Sequence, residues 1–120
     1  MPREAILPKS GGIKSPLMCL TQARFGIAWG AVGAAMDCYE SARRYAQERI
    51  QFGRPIASFQ LVQDLLVTML SDLTAMQTMV FRLSQMQDND ELLDEHASLA
   101  KVFCTLRMRS IVDQARELFG

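Results

Sequence analysis

The sequence predicts an all-α fold, an antiparallel up-down bundle of three long helices. Two observations carry this. Apolar residues recur every three or four positions through three long stretches, the period of helices that bury one face. The breaks between those stretches are short, so successive helices should run antiparallel. Strand signals are absent apart from the first few residues. At 120 residues the chain is one domain's worth, and its 49% apolar content is enough for a core.

Taken in order, residues 1–15 read as extended or loop, because Pro2, Pro8 and the Gly11-Gly12 pair exclude a helix. Ser15-Pro16 gives an N-cap followed by proline at the first helical position. The first helix is expected from about Pro16 to Ile50, with Leu20, Ala23, Ile27, Ala31, Ala34, Cys38, Ala42 and Tyr45 on its apolar spacing. At 1.5 Å per residue it would span roughly 50 Å. Its middle is small: Gly26, Ala28, Gly30, Ala31, Gly33, Ala34 and Ala35. Each glycine costs about 1 kcal/mol relative to alanine, and close helix packing is the expected compensation. A ligand groove is the alternative for the same stretch.

The second helix is expected from about Ala57 to Met86, with Phe59, Val62, Leu65, Leu66, Met69, Leu70, Leu73, Met76, Val80 and Leu83 as one broad stripe. Asp88-Asn89-Asp90 is a turn. The third runs from about Leu92 to Leu118 on His96, Leu99, Ala100, Phe103, Leu106, Ile111, Ala115 and Leu118. Three such stripes are too wide to be buried among themselves. A fourth partner is implied, either further helices or another copy of the chain.

Composition narrows the function. With 13 basic and 13 acidic residues the formal net charge is zero, and no basic stripe suits nucleic acid. No apolar run reaches ~18 residues, so no membrane span is expected. The N-terminus lacks a basic region followed by an apolar one, so no signal peptide is read. Cys19, Cys38 and Cys104 are few and widely spaced, which argues for reduced thiols inside a cell and against a zinc site. His96 lacks the Glu-x-x-His spacing of a bundle metal site, because Leu93 stands three residues before it. It reads as a boundary histidine. Methionines such as Met36, Met69, Met76, Met79 and Met86 read as gap-fillers. Glu40, Glu48, Glu91, Glu95 and Glu117 read as solvated helix charges, with Glu40 and Arg44 at i,i+4 spacing.

The stretch from Arg49 to Gln60 does not fit a plain connector. It holds a cation, an aromatic, a Gly-Arg-Pro turn and a glutamine at each end. A guanidinium binds phosphate by paired, charge-assisted hydrogen bonds. Arg49 at a helix C-terminus also meets the negative end of the dipole, so a capping role explains it equally well. Gly53 and Pro55 are turn residues on either account.

The stretch follows the pattern R-x-Q-F-G-x-P-I-x-x-x-Q, which resembles the flavin-binding corner of the acyl-CoA dehydrogenases. Upstream, Ala23-Arg24-Phe25-Gly26-Ile27-Ala28-Trp29-Gly30 resembles the A-R-Y-G-I-A-W-G signature of the glutaryl-CoA dehydrogenase branch. Downstream, Gln114 to Gly120 resembles the start of the family's Q-A-x-x-x-x-G-G segment. The resemblance covers essentially the whole chain. It implies that residues 1–15 are a linker and the end of a preceding β domain, with Arg3 to Pro8 as its last strand. Residues 16–120 would be part of the C-terminal helical domain.

The resemblance also implies an FAD site shared between subunits. By similarity, Arg49 contacts the FAD pyrophosphate, Gln51 and Phe52 lie beside the cofactor, Ile56 is the corner's apolar residue and Gln60 reaches the adenosine end. Glu117, Leu118, Phe119 and Gly120 would complete that site. Leu17, Leu20, Thr21 and Arg24 fall where the family's first C-terminal helix meets acyl-CoA, with Arg24 as the polar contact. No catalytic residue is expected in this chain, because the family's glutamate base belongs to an Asn-Thr-Tyr-Glu-type segment beyond the Gly-Gly motif. No metal is expected.

The implied function is therefore that of part of an FAD-dependent acyl-CoA dehydrogenase of the glutaryl-CoA type. The chain would be inactive alone and would associate through its helical faces. Electron-transfer flavoprotein is the implied partner. The implied location is the cytoplasm in a bacterium or the mitochondrial matrix in a eukaryote. The alternative is a non-catalytic helical assembly module.

Overall fold

A computed structural model describes residues 3–6 and 8–120. Three helices dominate: α1 (Lys14–Glu48), α2 (Gln60–Asp88) and α3 (Asp94–Phe119). Between α1 and α2 lies a small hairpin of β1 (Ile50–Gln51) and β2 (Arg54–Pro55), followed by a 3-10 turn at Ile56–Ser58. The all-α expectation holds, and the missing strand signal is corrected by this hairpin. Arg3–Ala5 form a 3-10 turn where the sequence suggested a strand. A strand needs a neighbour to pair with, and among the described residues nothing pairs with this segment. Pro2 and Leu7 lie outside the described residues.

The first helix starts earlier than Ser15-Pro16 suggests. Ile13 occupies the cap position with no side-chain cap, and Ser15 is already helical. Its hydroxyl accepts the Gly11 N–H at 2.8 Å instead, tying the incoming loop to the first turn. Pro16 still falls in that turn, where a missing N–H costs nothing. The helix ends when Arg49 turns extended, two residues before the expected end.

The chain reverses again after α2. Asp90 adopts a left-handed φ of 57°. The Glu91 N–H bonds to the Met86 carbonyl at 2.7 Å and the Asp90 N–H to Gln87 at 3.1 Å. Those two bonds close the orphan carbonyls of α2 as a Schellman motif does. Leu93 then caps α3 without a side-chain acceptor. The His96 ring supplies one in reverse, its Nδ1 accepting the Leu93 N–H at 3.2 Å. Asp94 and Glu95 in the first turn suit the positive end of the helix. The half-buried histidine is thus a local capping group.

Helices α1 and α3 run the same way, with α2 antiparallel to both. The packing of α3 on α1 is the most extensive in the molecule. Ala28, Ala31, Ala35, Ala42 and Ala46 of α1 are buried in this core with Ala100, Cys104, Ile111, Ala115 and Leu118 of α3. Small side chains let the two backbones approach. Met69, Leu73, Met76, Val80 and Leu83 close the core from α2. Met76 is fully buried, and cutting it to alanine should cost about 2–5 kcal/mol. Arg107 of α3 pairs with Asp72 of α2 at 3.6 Å.

The glycines of α1 take no part in this packing. A Cβ added at Gly26, Gly30 or Gly33 meets nothing within 4 Å. The close contact expected of the small stretch is made by Ala28, Ala31 and Ala35, while Ala34 is exposed with the glycines. The unburied stripes are present as expected. Leu61 is 84% exposed, and Val67, Phe81, Leu99, Val102 and Leu106 are exposed with it. No helix among the described residues is long and apolar enough to cross a membrane.

Candidate functional site

The corner between α1 and α2 is more ordered than a loop. Arg49 leaves α1 exposed and extended, its N–H bonded to the Tyr45 carbonyl at 2.8 Å. Its own carbonyl accepts the Ile56 N–H at 2.9 Å, which closes the base of the hairpin. Ile50 pairs with Pro55 and Gln51 with Arg54. Phe52 and Gly53 make the turn, with φ of 52° and 79°. A two-residue hairpin with both central residues at positive φ matches the right-handed strand twist.

Glycine adopts that geometry freely, but phenylalanine does not. The left-handed region costs a residue with a Cβ about 1–2 kcal/mol. Phe52 is also 92% exposed, so burial returns nothing. Its contact within the chain is with Phe59, edge to face, with ring centroids 6.1 Å apart at 82°. The Arg54 guanidinium lies over the same Phe59 ring, 4.3 Å from its centroid. Residues held in such sparsely populated regions cluster at functional sites.

The second helix begins at Gln60, three residues later than the sequence suggests, because Ile56–Ser58 form their own 3-10 turn. The Ser58 hydroxyl donates to the Pro55 carbonyl at 2.8 Å and the Gln63 amide to Ala57 at 3.0 Å, fixing that turn. Phe59 caps α2 with no side-chain acceptor. The leading N–H groups of α2 therefore present partial positive charge beside the hairpin. Gln51 and Gln60 are exposed, and Ile56 is half-buried against the core.

The end of α3 reaches the same corner. Phe119 packs on Tyr45, one turn before Arg49, with centroids 4.6 Å apart. Glu117 and Gly120 are exposed there, and Gly120 has a φ of 104°. Leu118 is buried in the core, so its side chain serves packing. The structure thus gathers Arg49, Gln51, Phe52, Ile56, Gln60 and the Glu117–Gly120 segment at one end of the bundle.

The other group sits at the opposite end. Leu17 and Leu20 are exposed near the start of α1, and Arg24 is half-buried. Thr21 is buried, and its hydroxyl donates to the Asp94 carboxylate at the start of α3. Gln22 accepts the Gln87 amide at 3.0 Å, so α1, α2 and α3 are tied together there. About 28 residues of helix separate Thr21 from Arg49, or roughly 40 Å. Sequence reasoning missed the Thr21–Asp94 bond and the Arg54–Phe59 stack. The second had a signal, an arginine and a phenylalanine flanking the turn.

A few charges elsewhere form surface pairs. The Glu40 carboxyl is held below its ordinary value, first by hydrogen bonds from Arg43 at 2.7 and 2.9 Å and then by the charges of Arg43 and Arg44. Arg43 is Glu40's closest partner, nearer than the expected Arg44, which lies at 3.9 Å. Burial raises the Cys104 thiol, which makes it a poor nucleophile. Among the described residues no cluster of three metal-ligating side chains occurs.

Residues 10–120 match the family model of the acyl-CoA dehydrogenase C-terminal domain. The chain belongs to the acyl-CoA dehydrogenase family, a family of FAD-dependent oxidoreductases. Within it, the chain is similar to a glutaryl-CoA dehydrogenase from Mycobacterium smegmatis, at 40% identity and a TM-score of 0.96. A glutaryl-CoA dehydrogenase from the same organism, in complex with FADH2, is 35% identical with a TM-score of 0.95. Butyryl-CoA dehydrogenase from Megasphaera elsdenii is 27% identical with a TM-score of 0.91. Each match covers 100% of this chain but only 31%, 31% and 32% of those proteins respectively. The chain spans about a third of its relatives' length.

Proposed function

We propose that this chain supplies one wall of an FAD site and one edge of an acyl-CoA site in a dehydrogenase of the glutaryl-CoA type. The observation that carries the reading is Phe52, strained and exposed at the tip of a hairpin that starts at Arg49 and leads to Gln60. The residues present suit the pyrophosphate and adenosine half of FAD. Arg49 offers a permanent cation to the phosphates, and the open start of α2 adds N–H donors. Phe52 gives an aromatic face, and the Gln51 and Gln60 amides can both donate and accept. Nothing at this corner would enclose a flavin ring, so the chain's share is the anchoring half.

The chemistry that FAD would supply when bound is hydride acceptance in an α,β-dehydrogenation, and this chain's residues would hold and orient it. In the glutaryl-CoA reaction carbon dioxide is then lost to give crotonyl-CoA, and electrons pass to an electron-transfer flavoprotein. The Ala23–Gly30 segment and the two glutaryl-CoA relatives support that substrate over a simple fatty acyl-CoA. At the far end, Leu17 and Leu20 would line the acyl-CoA and Arg24 would hold a polar group of it. The two ends lie roughly 40 Å apart along α1, which suits the resemblance's implication that the FAD site is shared between subunits. By that resemblance the corner would serve a second copy, which the exposed apolar faces would bring into a homo-oligomer. In this reading none of the chain's glutamates takes the base's role: Glu40 is paired with Arg43, and Glu4, Glu48, Glu91, Glu95 and Glu117 are exposed.

Titration of the purified chain with FAD, beside Arg49→Ala, tests the reading. Saturable binding that weakens at least ten-fold in the variant is expected. Equal affinity in the two proteins sinks it. A second reading, a helical assembly module without chemistry, is favoured by the exposed Leu61, Val67 and Phe81. It predicts association that FAD leaves untouched.

A further inference from the structure

We infer that Arg54 is a positioning residue of this site: stacked on Phe59, it fixes the platform that holds Phe52 at the hairpin tip. The family pattern R-x-Q-F-G-x-P leaves this position open, so the argument rests on geometry alone. Arg54 stands opposite Gln51 in the two-residue ladder, directly after the turn. Its guanidinium lies 4.3 Å from the centre of the Phe59 ring. Among the described residues it has no carboxylate within ion-pair distance, so its charge is directed at that ring.

Phe59 is itself well anchored. Its N–H bonds to the Ile56 carbonyl and its carbonyl accepts the Gln63 N–H, each at 3.0 Å. The Phe59 ring carries Arg54 and also meets Phe52 in a T-shaped pair. A left-handed aromatic persists only where its surroundings over-determine it. Here the surroundings amount to Gly53, the closing pair of strands and this three-residue stack. A guanidinium over an aromatic face and an edge-to-face ring pair are each attractive beyond simple burial. Removing Arg54 or Phe59 leaves Phe52 without its support.

That Phe52 then meets a cofactor rests on the proposed function; the stack itself does not. The test therefore uses two readouts. Backbone 15N order parameters of the free chain report the tip without any ligand. In Arg54→Met and in Phe59→Leu, the values at Phe52 and Gly53 should fall from the rigid range of about 0.85 toward about 0.6. Arg49→Ala should leave them unchanged. ADP then probes the anchoring half of the site. Each variant should bind it roughly five-fold more weakly, and the double variant should be no weaker than the worse single one. Arg54→Lys, which keeps the charge but not the planar stack, should recover less than half of the loss.

A tip that stays rigid in both variants overturns the inference. So does a Phe59→Leu protein with full ADP affinity beside an Arg54→Met protein that has lost it, because Arg54 would then touch the phosphates directly. If no variant and not the parent chain binds ADP, the cofactor reading fails, while the order parameters still decide the stack.

Discussion

Where α1 stops, the molecule spends stability; where α1 starts, it gathers it. The corner end carries an aromatic in a disfavoured backbone region and an exposed arginine. The far end ties three helices together through Thr21 to Asp94 and Gln22 to Gln87, with a fully bonded turn between α2 and α3. One end holds strained and exposed groups, and the other ties its helices together while leaving Leu17 and Leu20 exposed. Under the proposed reading both ends meet a ligand, but only the corner holds its contacts at a cost in backbone strain.

The largest effect expected from breaking this comparison is at Arg49. Arg49→Ala should weaken FAD or ADP by about 10- to 100-fold, the worth of a lost charge-assisted hydrogen bond, and leave the thermal midpoint nearly unchanged. Calorimetric titration and a melting curve read both numbers. Next is Thr21→Val. It keeps shape but leaves Asp94 without its partner, and should cost about 1–2 kcal/mol, lowering the midpoint by roughly 5–10 °C. ADP affinity at the corner should not change. If it does, the two ends are coupled and the comparison is wrong.

Phe52→Gly sharpens the contrast by reversing sign. Relief of the left-handed strain should stabilise the chain by up to about 1 kcal/mol, seen in urea unfolding, while cofactor affinity drops. A loss of stability instead would mean that the Phe52–Phe59 contact outweighs the strain. The smallest effect is on the exposed middle of α1. Glu40's carboxyl sits below its ordinary 4.5, so its contribution is present above that value and is lost as pH falls through the lowered folded value. The pair is solvated, so Glu40→Gln should leave the pH 7 midpoint within error and remove a slight part of the acid slope.

Much of this was legible in the sequence. The stripes of α2 and α3 and the alanines of α1 have the helical period, and the core uses them. The corner was legible as a motif, but its hairpin was not. Four strand residues are too few for an alternating pattern, and Phe-Gly is a rare filler for a turn that usually takes Asn-Gly or Asp-Gly. The Ser15 cap failed because the hydroxyl had a second acceptor role, toward Gly11. The small residues of α1 promised close packing, but only tertiary structure could separate the buried alanines from the open glycines. Thr21 and Asp94 lie 73 residues apart, and no local pattern pairs them.

The length of α1 has a genetic consequence under the proposed reading. A chain damaged at Arg24 keeps a sound corner, and a chain damaged at Arg49 keeps a sound substrate edge. Where each complete site draws its corner from one copy and its edge from another, a mixture of the two defective chains rebuilds intact sites that neither forms alone. Two null alleles, altered at opposite ends of one helix, would then complement each other in the same cell.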